Sequence, residues 1–152
     1  KVRFDERSIA TLKAHLGKID DSLTRALCWS AAWDMLRDAE ISATDFIDIA
    51  LAGLPGENDI ATVTIIANQL VTAVELYSAP FKRDSARLKV GNAYEKMLNA
   101  AKPGSDHQLQ FARNFTSFAS SAEHNDLIRE LICLIGSKLF KFALLTPGSL
   151  YK

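Results

Sequence analysis

Cysteine is nearly absent from this chain: Cys28 and Cys133 are the only two, too few and too far apart for a Cys-x-x-Cys redox or metal motif. Both have apolar neighbours, the usual setting of free thiols serving as small core residues. This usage fits a reducing, cytoplasmic location, with a single long-range disulfide as the alternative. Net charge is missing too. Lys plus Arg number 18 and Asp plus Glu number 18, so no overall field draws in nucleic acid or an anionic membrane, and neither is an expected partner. No membrane span is expected: Leu127 to Leu145 is interrupted by Arg129, Glu130, Lys138 and Lys141, short of the ~20 nearly uncharged residues required. The chain opens on Lys1-Val2-Arg3-Phe4 without Met or an apolar leader, so no secretory signal is expected and the start reads as a cut end.

Catalytic patterns are lacking as well. Neither Gly-x-x-x-x-Gly-Lys-Ser nor Gly-x-Gly-x-x-Gly occurs, which removes the usual phosphate cradles. None of the three histidines, His15, His107 and His124, has a second ligand three or four residues away, as helical metal motifs require. His107 and His124 read as exposed residues near helix starts. Cys28 lies in the most apolar segment, where desolvation opposes a thiolate. Asp20, Asp21, Asp34 and Asp38 could suggest acid–base work, but Arg25 and Arg37 stand at helical spacing and make structural ion pairs the better reading. Trp29 and Trp33 are an i, i+4 aromatic pair inside an apolar segment, where core packing outweighs ligand stacking. The expectation is that no catalytic, cofactor-binding or metal-ligating residue is present.

What the sequence does contain is helical periodicity. At 152 residues, with 48% hydrophobic and 24% charged residues, it has the size and composition of one folded domain. Its four prolines and seven glycines fall mostly between segments with apolar residues three and four apart, and no alternating strand pattern appears. Helices are expected over about 6–16, 21–40, 43–54, 59–77, 82–101, 105–119 and 122–135. The second carries two stripes, Leu23, Leu27, Ala31, Met35 and Ala26, Trp29, Trp33, Leu36, which predict two buried sides. Ser42-Ala43-Thr44-Asp45 and Ser105-x-x-Gln108 read as capping boxes. Gly53, Pro55 and Gly56 read as a helix end using positive φ. Gly91, inside the fifth helix, should cost roughly 1 kcal/mol relative to Ala. The fold class expected is all-α, with antiparallel helix pairs stacked as an α-solenoid of HEAT or armadillo kind; no strict repeat period marks it, and a plain bundle is the fallback.

The wording of several segments is more specific. Leu16-Gly17-Lys18-Ile19-Asp20-Asp21-Ser22-Leu23-Thr24-Arg25-Ala26-Leu27-Cys28-Trp29, then 31–40, Ala43-Thr44-Asp45-Phe46, Leu54-Pro55-Gly56-Glu57-Asn58-Asp59 and Pro103-Gly104-Ser105-Asp106-His107-Gln108-Leu109 resemble the C-terminal helical domain of the aminopeptidase N family of zinc metallopeptidases, of actinobacterial type. The resemblance covers about 1–131, leaving 132–152 as a divergent or truncated segment. It implies an accessory cap domain of an enzyme that removes N-terminal residues from peptides. The implied partners are the catalytic domain of the same polypeptide and the enzyme's peptide substrates. The family's zinc motif His-Glu-x-x-His and its Gly-x-Met-Glu-Asn loop are absent here. The resemblance therefore implies zinc in the parent enzyme, no cofactor in this chain, and no activity from this chain alone. A free-standing helical-repeat module that binds a protein segment is the alternative.

Overall fold

The computed structural model describes the backbone of residues 1–145 and the side chains of residues 1–133. The chain is all-helical, with α1 Glu6–His15, α2 Ser22–Arg37, α3 Ala43–Gly53, α4 Ile60–Thr72, α5 Arg83–Ala100, α6 Asp106–Phe118 and α7 Ala122–Leu145, and no strand among the described residues. The segment expected to diverge, 132–152, falls partly outside them.

The helices begin where side chains can satisfy free backbone amides. Asp5 accepts from the Ser8 amide at 2.8 Å, Asp21 from Thr24 at 2.7 Å and Asp59 from Thr62 at 2.9 Å. The box at Ser42 is complete: the Asp45 amide donates to Ser42 Oγ and the Ser42 amide to Asp45 Oδ2. The second pattern is half a box. Ser105 Oγ accepts from the Gln108 amide, but Gln108 Oε1 accepts from Gly104 instead of returning to Ser105.

Three ends differ from expectation, and the first is α2, which stops at Arg37, three residues short of 40. α4 passes into a π turn over Ala73–Tyr77, where the Ser78 hydroxyl donates to the Ala73 carbonyl. α7 continues ten residues beyond the expected stop at Ile135. A glycine ends a helix when the chain takes positive φ, and among the described glycines only Gly104 does so.

Packing follows an alternation. α1 lies on α3 and α3 on α5, while α2 lies on α4 and α4 on α6; α3 also packs on both α2 and α4, and α5 and α6 form the closest pair. Asp48 of α3 links the first set, with Lys89 of α5 at 2.5 Å and Lys13 of α1 at 3.8 Å. Lys13 also meets Asp45. The core between the sets holds Phe46, Ile49, Leu54, Val63, Leu70, Tyr94, Phe115 and Phe118, all essentially solvent-free. Tyr94 stacks on Phe118 with ring centres 5.8 Å apart, and Trp33 leans on Phe46 at 5.3 Å, separations typical of favourable aromatic pairs.

The expected second buried side of α2 is only half realised. Ala31 and Met35 are buried, but Leu23 and Leu27 are 65% and 61% exposed, because no described helix covers that flank. Leu109 of α6 and Val71 of α4 are exposed as well. Over Ile60–Tyr77 the mean hydropathy is 1.4 and a third of the window is buried. By length and composition this stretch, not 127–145, could cross a membrane, yet Val63, Ile66, Ala67 and Leu70 place one of its faces in the core.

Glycines set the spacing of two turns. A Cβ on Gly56 would stand 2.3 Å from the Gly17 carbonyl oxygen, and one on Gly53 would stand 2.4 Å from the Trp29 ring. The positive φ expected at Gly53 and Gly56 is not used. Close approach, not backbone handedness, is what excludes a side chain there.

Candidate functional site

Arg25 is the best-anchored charge among the described residues. It projects from the first turn of α2 into a space left between the α1–α2 and α3–α4 turns. Its Nε and Nη2 donate to the two carboxylate oxygens of Glu57, each at 3.0 Å, and its Nη1 donates to the carbonyls of Ile19 and Asp20 at 2.7 and 3.0 Å. Glu57 is 3% exposed and also accepts from the amides of Asn58 and Asp59 at 2.9 and 3.0 Å. Every lone pair that matters is used, which is the condition under which a buried ion pair holds. Burial pushes the Glu57 carboxyl up, but Arg25 and the two amides outweigh it and hold the group below its ordinary 4.5. The Glu57 carbonyl lies 3.1 Å from His107 Nε2, so one residue ties α2, the start of α4 and the start of α6.

This arrangement corrects the i, i+4 pairing of Asp21 with Arg25. Asp21 is instead the cap of α2, taking both the amide and the hydroxyl of Thr24. Asp38 likewise answers to Lys1 and Arg3, not to Arg37. Asp21 and Asp38 thus have partners other than those expected. Glu57 was legible only as part of the Leu54-to-Asp59 wording; its pairing across 32 positions has no periodic signal.

His124 overturns the expectation of an exposed histidine, being 2% exposed. Its ring sits against Gly91, where a Cβ would come within 2.7 Å of Cε1, and edge-on to Phe115 at 5.1 Å. Nε2 is 2.7 Å from Asn92 Oδ1, and Nδ1 accepts from the Ser120 amide at 3.4 Å. With Nδ1 accepting, Nε2 is the nitrogen that donates, to Asn92 Oδ1. With His107 held by Glu57 and His124 by Asn92, the histidines are dispersed. No three His, Cys, Asp or Glu side chains gather as a metal-holding group among the described residues, so the side chains present do not fit a zinc ion.

Cys28 is half-buried and its thiol is pushed up by burial, which disfavours the nucleophilic thiolate. Trp29 is buried against Gly53 and Trp33 packs on Phe46 and Tyr77, so both tryptophans serve the core.

Beside Trp29 a cleft of about 260 Å³ opens between α2 and α4, lined by Ala26, Trp29, Ser30, Thr62, Ile65, Ile66 and Gln69. Two of the lining residues carry buried atoms without a hydrogen-bond partner, Trp29 Nε1 and Gln69 Oε1. A buried donor and a buried acceptor left unpaired each carry a desolvation cost. No sequence pattern marks this cleft, because Trp29 reads as core and Gln69 as surface.

The described residues thus form a helical scaffold with ion-paired joints. Residues 1–139 match the ERAP1-like C-terminal domain. This chain belongs to that family. The ERAP1-like C-terminal domain here is 42% identical over 132 residues to an aminopeptidase N of Streptomyces lividans, an alignment covering 87% of this chain and 15% of the relative. The chain therefore spans about 15% of the length of the curated relative it matches. The resemblance first carried by Leu16 to Glu40 and Leu54 to Asp59 is to the C-terminal domain of aminopeptidase N, a peptidase, and the family match agrees.

Proposed function

We propose that this ERAP1-like C-terminal domain is the accessory part of a zinc-dependent aminopeptidase that removes N-terminal residues from peptides. It caps a catalytic chamber formed by another part of the same polypeptide and controls which peptides enter. The observation that carries this reading is the 42% identity with an aminopeptidase N across 87% of the chain. The alternation of α1, α3 and α5 with α2, α4 and α6 supports the finer picture of an α-solenoid, whose two layers present separate continuous faces. Zinc belongs to residues outside this chain, which has no His-Glu-x-x-His; when bound there it supplies a polarised water for amide hydrolysis. In this reading the partners are the catalytic domain and the peptide substrate, the location is cytoplasmic, and residues 1–152 alone are inactive.

The test is an assay of the complete gene product on aminoacyl-coumarin substrates. It should release the fluorophore, lose activity with a chelator and regain it with zinc, whereas residues 1–152 at equal concentration should release none. A reading frame that encodes no His-Glu-x-x-His, or a gene product without this activity, would sink the reading and leave the free-standing binding module.

A further inference from the structure

We draw no further inference here: the strongest candidate, the groove of about 450 Å³ between the start of α3 and the π turn at the end of α4, lined among others by Ser42, Thr44, Tyr77 and Lys82, rests on a helix N-terminus, and none of its lining side chains has a buried polar atom left without a partner to point to a ligand.

Discussion

The imidazole of His124 occupies the place that a side chain at position 91 would take, with Cε1 2.7 Å from where a Cβ would stand. Helix propensity alone makes Gly91→Ala stabilising by about 1 kcal/mol. The packing reverses the sign, since the Phe118 carbonyl closes the other side at 3.0 Å. Gly91→Ala should destabilise the chain by about 1 to 3 kcal/mol, read by urea unfolding. Adding His124→Ala should recover part of that loss by opening the space, so a gain in stability from Gly91→Ala alone would contradict the geometry.

Removing the Glu57 carboxylate leaves the Arg25 guanidinium in its enclosed position with only two backbone carbonyls. Glu57→Ala should cost roughly 3 kcal/mol. The double variant Arg25→Met, Glu57→Ala should be more stable than Glu57→Ala, because the stranded charge is gone. A double-mutant cycle by denaturant unfolding measures the coupling.

The acid side of the stability profile follows from the same groups. The Glu57 carboxyl is held below its ordinary value, as are Asp45, lowered first by its hydrogen bond from Lys13, and Asp38, lowered first by Lys1. A carboxyl with a depressed folded-state pKa contributes stability above its unfolded value and loses it as pH falls through the folded value. The thermal midpoint should therefore hold near neutrality and fall between about pH 5 and pH 3. The Glu57→Gln variant should show a shallower fall over that interval.

The two thiols should differ in reactivity. Cys133 is exposed, whereas Cys28 is half-buried with its thiol pushed up by burial. In residues 1–152 a thiol-reactive disulfide reagent should modify Cys133 first, and Cys133→Ser should leave one slow phase whose rate rises with urea.

Local order was open to reading from the sequence. The Ser42 box and the helix over about 43–54 obey short-range rules, and the chain follows them. Long-range pairings were closed to it. Arg25 had a plausible acid four residues back and chose one 32 residues on, because the carboxylate of Asp21 was already spent on the Thr24 amide. Leu23 and Leu27 follow a perfect buried stripe but meet no described neighbour, since periodicity reports that a face is apolar and not what covers it. The α2–α4 cleft was invisible for the same reason: Trp29 and Gln69 meet only after two helices are laid side by side.

The contact between Gly17 and Gly56 carries one more consequence. The two turns touch backbone to backbone, so the tilt between the first helical hairpin and the second is fixed by the thickness of a peptide group and not by a compressible side chain. A methyl group at either position would act as a wedge, splaying the hairpins. Because the Arg25–Glu57 pair bridges the same two turns, a wedge there would also stretch its hydrogen bonds.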